Sequence, residues 1–251
     1  MNKLIDAHHV ECRRSSKFSK TPAQSCRKTE LYLWDKNKSN RWSDKKYSTE
    51  SMNRTKKSIF KSLENEFTKC ECSFNTFLEG IKSSSYLINE DNEKKIMATY
   101  IAMNICRNPN NLDAALKRNK KNFKDKMIRN QTIDSLIRAL FPIFYYNMQH
   151  NHYFIKTTDE LLICPDSIIY SVRDKNYVND TYHIMPLTHN KYLLCCYDFH
   201  SMKGKQIKRN FTANEINNLS FMSNCQYLCG DDNTICLNIM NNFIVNDFVY
   251  H

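Results

Sequence analysis

Tyr182-His183-Ile184-Met185 and Tyr192-Leu193-Leu194-Cys195-Cys196-Tyr197 flank a connecting stretch, Pro186-Leu187-Thr188-His189-Asn190-Lys191. Two short runs of aromatic and aliphatic residues divided by turn formers read as neighbouring β-strands. The same texture occurs upstream at residues 153–155, 161–164 and 168–172, and it begins after Asn151. Downstream, Thr212-Ala213-Asn214-Glu215 is a capping-box pattern that opens a helix carrying Ile216, Leu219, Met222 and Cys225, with Gly230 as its C-terminal stop. Residues 235–250 read as one or two further strands.

Before this β-rich half the period changes. Phe60, Leu63, Phe67, Cys70, Phe74, Phe77, Leu78 and Ile81 recur at steps of three and four, which predicts one long amphipathic helix from Ser58, broken by Ser83-Ser84-Ser85. A second helix starts near Asn89, carries Ile96, Met97, Tyr100, Ile101 and Ile105, and stops before Pro109. A third pattern runs from Leu112 to Ile133, Leu136, Ile137 and Leu140, and Pro142 is expected to end or kink it. The first 57 residues are polar and basic, with one apolar island, Leu31-Tyr32-Leu33-Trp34. The polar turn Asp35-Lys36-Asn37-Lys38 follows, so the island reads as a strand entering a hairpin, with Arg41-Trp42 returning. The expected fold is α+β over a single domain, residues 1–251: a basic N-terminal segment (1–57), a helical part (58–150) and an antiparallel β-rich part with one helix (151–251).

Composition narrows the chemistry. Only Gly80, Gly204 and Gly230 occur in 251 residues, so no glycine cluster can cradle a phosphate. A P-loop, a dinucleotide-binding fingerprint and a kinase glycine-rich loop are excluded. The net charge of +11 is unevenly placed. Residues 1–58 hold 15 basic against 6 acidic side chains, and residues 117–129 hold seven against one. What is left of the chain carries a net −4. Such a field attracts RNA, DNA or an acidic protein, and Lys117, Arg118, Lys120, Lys121 and Lys124 are its densest stretch. The same residues also suit an ordinary solvated face in a Lys- and Asn-rich chain.

The N-terminus has no apolar signal core, no stretch reaches the ~18 apolar residues of a membrane span, and several of the 11 cysteines lie inside apolar runs. A reducing, cytoplasmic location without membrane insertion is expected. Zinc-type spacing is absent: there is no Cys-x-x-Cys, and Cys70-Glu71-Cys72 diverge on a helix. His150-Asn151-His152 would put both rings on one strand face, but it lacks a nearby acidic or thiol ligand and reads better as a loop between elements. Pro165-Asp166 resembles the opening of a Pro-Asp…Asp/Glu-x-Lys nuclease site, in which two carboxylates hold Mg²⁺. Asp174 and Lys175 are adjacent, so the spacer of that pattern is missing, and a Pro-Asp turn explains the same letters. The cofactor stays open, with Mg²⁺ the one metal raised.

Seven segments, taken in order, resemble the domain-of-unknown-function 4238 family: His8-His9-Val10, Leu31-Tyr32-Leu33-Trp34-Asp35-Lys36, Leu63-Glu64-Asn65-Glu66-Phe67, Ile105-Cys106-Arg107-Asn108-Pro109, Leu162-Ile163-Cys164-Pro165-Asp166-Ser167, Met185-Pro186-Leu187-Thr188 and Glu215-Ile216-Asn217-Asn218-Leu219. Glu11-Cys12 and Cys164-Pro165 depart from the family's pattern. The resemblance implies a bacterial accessory or mobile-element protein with a role in phage defence, toxicity or host conflict. It also groups His8, His9, Arg107 and Asp166 as a catalytic set, with His carrying a proton, Arg holding a phosphate and Asp orienting the His or a metal. Alternatively Asp166 caps a turn and Arg107 satisfies carbonyls at its helix end. The leading expectation is a nucleic-acid-acting protein, nuclease-like or a toxin or defence effector. Its rivals are a non-catalytic module or inhibitor gripping an acidic protein through the basic face, and a metal-dependent hydrolase with a carboxylate cluster around Asp166.

Overall fold

The computed structural model describes residues 16–25, 28–49, 63–81, 85–107, 126–165, 170–174, 181–197, 210–223, 225, 227–238 and 248–250. Among these the fold is α+β, with helices in the middle of the chain, strands gathered toward its C-terminus, and two sheets in which every pairing is antiparallel. The chain forms two compact units, one of helices and one holding both sheets and the last helix.

In the helical unit, α1 (Glu64–Gly80) keeps the predicted period and buries Phe67, Phe74, Phe77 and Leu78. It stops where Ile81 N–H turns back to the Leu78 carbonyl (3.3 Å), just ahead of the serine run. The next helix, α2 (Asp91–Arg107), opens with Asp91 and Glu93 at the positive end of its dipole. Between Met97 and Cys106 it is buried on almost every side, because α1 and α3 (Lys126–Gln149) both pack against it. Phe74 of α1 stacks on Tyr100 of α2 with centroids 3.5 Å apart. The expected start of the third helix near Leu112 lies outside the described residues. Of the end or kink expected at Pro142, the end does not occur: α3 runs through Pro142 to Gln149. Pro142 sits on the exposed face, where water can solvate the Arg138 carbonyl that proline leaves without a donor.

In the sheet unit the larger sheet has the order β10-β6-β7-β8-β4-β3. These are β3 (Tyr86–Leu87), β4 (Asn151–Thr157), β6 (Tyr170–Asp174), β7 (Thr181–Thr188), β8 (Lys191–Tyr197) and β10 (Phe248–Tyr250). The two runs that decided the fold class are the central pair, in register Tyr182↔Cys196 through Met185↔Leu193. β7 outruns its predicted end because the register shifts between Pro186 and Thr188, an irregularity that admits proline within a strand. Of His150-Asn151-His152, expected as a loop, His150 alone is the exposed turn between α3 and β4, and Asn151 and His152 already belong to the strand. Asn151 opens β4 opposite Tyr197, buried and donating to Cys195 Sγ (3.0 Å), and the alternation Asn151, Tyr153, Ile155 faces inward. A polar residue at the first inward position hid that strand end.

The smaller sheet has the order β2-β1-β9-β5: β1 (Glu30–Asp35), β2 (Tyr47–Ser48), β5 (Cys164–Pro165) and β9 (Tyr227–Gly230). The hairpin exists, but its returning strand is Tyr47–Ser48 rather than Arg41-Trp42. Asp35 makes the turn by accepting the N–H groups of Asn37, Lys38 and Ser39. Trp42 tucks under the sheet against Ile163, Cys225 and Leu228. Residues 161–164 are a strand only from Cys164. Before it the backbone bonds elsewhere: Leu162 N–H to His189 O, Ile163 N–H to Asn217 Oδ1, and Leu161 O from Asn217 Nδ2.

The capping box forms as predicted. Thr212 Oγ1 accepts Glu215 N–H and Glu215 Oε2 accepts Thr212 N–H, starting α4 (Ala213–Met222). Gly230 does not stop α4, since Ser223 caps it in an extended conformation. Lys36 Nζ donates to the terminal carbonyls of Phe221 and Ser223. Gly230 instead lies in β9, where a Cβ would stand 3.4 Å from Ile163 and 3.7 Å from Trp42.

Across the large sheet Tyr153, Cys195 and His183 form one row, the first two fully buried. Burial pushes the His183 imidazole down to about 4. The unfolded imidazole titrates near ~6.5. Between these values the unfolded chain takes up a proton that the folded one refuses, so stability falls as pH drops through this window and levels off below it. The limb amounts to at most ~1.4 kcal/mol per pH unit. Urea denaturation across the window is expected to show His183→Gln losing less stability than the parent chain, with parallel curves as the failing outcome.

Candidate functional site

His8, His9, Asp166, Lys117, Arg118, Lys120, Lys121 and Lys124 lie outside the described residues, and Arg107 is described only as the last backbone position of α2. Pro165 is part of β5, the edge strand of the smaller sheet, and pairs with Leu228. Among the described residues no group of three or more His, Cys, Asp or Glu side chains is placed to hold a metal ion.

What the described residues do build is a cavity of about 360 Å³ in the sheet unit. The segment after β4 supplies Asp159 and Glu160, the first turns of α4 supply Asn214 and Asn217, and the loop after β9 supplies Asp232. Among the described residues Lys20 is the one cation on its wall. Each wall is fixed by local bonds. Asn217, 3% exposed, spends both ends of its amide on the Leu161–Ile163 backbone. Asp232 accepts the Thr234 N–H (2.8 Å) and hydroxyl (2.7 Å), which hold its carboxyl below the usual carboxylate value. Behind it, burial pushes the Asp231 carboxyl up, but the Lys46 ammonium (2.8 Å) and the Lys20 N–H (3.0 Å) outweigh burial and hold it low. Among the described residues three carboxylates stand against one ammonium here, the wrong sign for a phosphodiester. No sequence motif announces it, because its residues come from separate segments; the one signal was Asn217, inside the family-like segment Glu215-Ile216-Asn217.

Positive charge lies instead on the β1–β2 hairpin and its flanks. Lys20, Lys28, Lys38, Arg41 and Lys45 are exposed, and so is Tyr47, with the Lys45 ammonium 5.6 Å from its ring centre. The ion pairs there are weak ones: Lys38–Asp35 (3.1 Å), with the lysine 78% exposed, and Arg41–Asp44 (3.6 Å), both exposed. Two other cations of the hairpin are committed to structure. Lys36 caps α4, and Lys46 joins Asp231 beneath the Tyr32 ring. Cys195 and His183 sit opposite one another, but burial raises the thiol and lowers the imidazole. Both stay neutral near pH 7, the opposite of an activated thiolate pair.

Comparison with family models, with curated proteins and with solved structures returned no match.

Two substitutions test this construction. Asn217→Ala strands the Ile163 N–H and the Leu161 carbonyl, and a loss of about 2–3 kcal/mol is expected in urea denaturation; a change under about 0.5 kcal/mol would show that water replaces the amide without loss. Because the Asp231 carboxyl is held low, its contribution is present above the unfolded value of ~3.9 and disappears as pH falls through the folded value. Lys46→Met should therefore cost about 1 kcal/mol at neutral pH. That difference should shrink as the solution is acidified, and a difference that persists in acid would assign it to lost packing on Tyr32.

Proposed function

We propose that this chain acts on nucleic acid, gripping the phosphate backbone with its basic N-terminal region and the basic segment ahead of α3. The observation that carries the reading is the concentration of positive charge in residues 1–58 and 117–129. Within residues 1–58, Lys38, Arg41 and Lys45 are exposed on the hairpin and Lys28 just ahead of it, and the Lys45 ammonium lies 5.6 Å from the ring centre of the exposed Tyr47. Cations beside an open aromatic ring suit a strand whose phosphates pair and whose bases stack.

In this reading the chain is a cytoplasmic, nuclease-like toxin or defence effector of the domain-of-unknown-function 4238 type. His8 or His9 carries the proton, Arg107 holds the scissile phosphate and Asp166 orients the His or a Mg²⁺ ion. No helix of the described residues is long and apolar enough to cross a membrane. The competing reading is a non-catalytic module that grips an acidic protein with the same cations.

The test is a titration of the full chain against labelled single- and double-stranded RNA and DNA at two salt concentrations, with and without Mg²⁺, each reaction also run on a gel. Affinity is expected to fall at least ~10-fold between about 50 and about 200 mM salt. A Lys28→Ala/Arg41→Ala/Lys45→Ala variant should bind more weakly with a shallower salt slope. Cleavage that disappears in His8→Ala/Asp166→Ala would establish the enzyme. Salt-sensitive binding without cleavage leaves a binding module, and no binding to any of the four ligands overturns the nucleic-acid reading in favour of a protein partner.

A further inference from the structure

β5 and β9 bring two cysteines face to face. In their antiparallel register Cys164 stands opposite Cys229, and Pro165 opposite Leu228. Residues directly opposite in such a ladder carry their side chains on the same face of the sheet. Both cysteines are thiols in this structure and both are buried, Cys164 at 1% exposure and Cys229 at 7%. Among the described strands no other cysteine meets a second one. Cys195 lies opposite Tyr153 and His183, and Cys196 opposite His152 and Tyr182.

Proline fixes the kind of pair. Opposite residues alternate between those that exchange both N–H···O bonds and those that exchange none. Pro165 has no N–H, so its pair with Leu228 is of the second kind and Cys164↔Cys229 is of the first. Asn217 agrees with this parity, since it takes the Ile163 N–H that the other parity would commit to Gly230. A hydrogen-bonded pair sets its Cα atoms ~5.5 Å apart, inside the ~4.4–6.8 Å that a disulfide spans. Its Cβ atoms start near the wide end of the ~4.5–5.5 Å cross-strand range, against ~3.8 Å in a disulfide, so closing the bond must draw the strands together. β5, two residues long at the edge of its sheet, is the element able to give. A disulfide closed under strain is easily reduced, which suits a reversible bond and not a permanent staple.

We propose that Cys164 and Cys229 are a redox pair, oxidised to a cross-strand β5–β9 disulfide by a small aliphatic disulfide and opened again by its thiol. The thiolate of Cys229, the more exposed of the two, attacks one sulfur of the reagent. The reagent's S–S bond breaks, a mixed disulfide forms and one small thiol leaves. The Cys164 thiolate then attacks the Cys229 sulfur, the Sγ–Sγ bond forms and the second small thiol leaves. The chain gives up two electrons and two protons, which depart in the two thiols. The consequence falls on the cavity: Glu160 and Leu161 precede β5 and Asp232 follows β9, so oxidation ties together the strands from which these walls extend.

The experiment is thiol mapping of the full native chain, equilibrated with oxidised and reduced glutathione at several ratios, quenched in acid, alkylated and digested. With oxidised glutathione in excess the expected product is a peptide linking Cys164 to Cys229, two hydrogens lighter than its reduced parts, from a chain that keeps its circular dichroism. Excess reduced glutathione should return both thiols. Cys164→Ser and Cys229→Ser should each abolish the linked peptide, whereas Cys70→Ser/Cys72→Ser, on α1, should leave it in place. A native chain in which both cysteines stay open to alkylation at every ratio overturns the proposal, as does one in which either joins a different cysteine or stops at the glutathione adduct. A linked peptide that forms only in urea assigns the reaction to the unfolded chain, and one that reduced glutathione fails to open assigns it to a permanent staple; either result also overturns the proposal. None of these outcomes depends on whether the chain binds nucleic acid.

Discussion

The sheet unit depends on one helix being hydrogen-bonded to both sheets. α4 holds the extended backbone ahead of β5 through Asn217, and β5 pairs with β9, which pairs with β1. Toward the larger sheet it is tied by Tyr170 Oη to Ser220 Oγ (2.9 Å) and by Phe211 N–H to Tyr192 Oη (2.9 Å) at its entry. These tyrosines are fully buried, so each phenol had to find a polar partner, and burial raises the Tyr192 hydroxyl to about 12. A two-residue strand such as β5 has too few ladder bonds to hold itself. The side chain of Asn217 supplies the missing pair, doing for residues 161–163 what a neighbouring strand would otherwise do.

The same economy divides the lysines into two populations. Lys36 lies inside the α4 C-terminus, its ammonium on the terminal carbonyls and 5.2 Å from the Phe221 ring centre. A cation there complements the negative end of the helix dipole. Lys46 neutralises Asp231, which would otherwise be a half-buried charge. Lys38, Arg41 and Lys45 on the same hairpin, and Lys28 just ahead of it, face water, with Lys38 and Arg41 in weak surface pairs. Net charge alone therefore overstates the field available to a partner, since Lys36 and Lys46 are taken up by folding and Lys38 and Arg41 pair with Asp35 and Asp44 at the surface.

Local rules were legible in the sequence wherever one residue type answers one need. The Thr212/Glu215 box, the period of α1, and the β7–β8 pair all follow from spacing. Pro142 is tolerated because its face is open to water. The other misreadings share a cause, which is that a remote contact changed the value of a local signal. Asn151 is a strand residue because Cys195 accepts its amide. Gly230 serves packing against Trp42 and Ile163 rather than a helix end. The cavity was invisible for the same reason, since Asp159, Asn217 and Asp232 converge only after both sheets form. The His8, His9, Arg107 and Asp166 grouping came from resemblance, and no spacing within the chain links those four positions.

Scarcity of glycine shapes the turns that remain. With three glycines in the chain, the turns described are held by short polar side chains reaching the N–H two residues on. Ser19 accepts from Thr21, Asp35 from Asn37, Ser39 from Arg41, Thr188 from Asn190, Ser223 from Cys225 and Asp232 from Thr234. Such turns occupy the backbone N–H groups that a glycine-rich loop would leave free to bind an anion. In the described turns that leaves side chains, rather than backbone N–H groups, to meet an anion. The proposed grip on a polyanion accordingly rests on lysine, arginine and exposed aromatic rings, and the removal of single side chains, rather than loop remodelling, is the change to which it should respond.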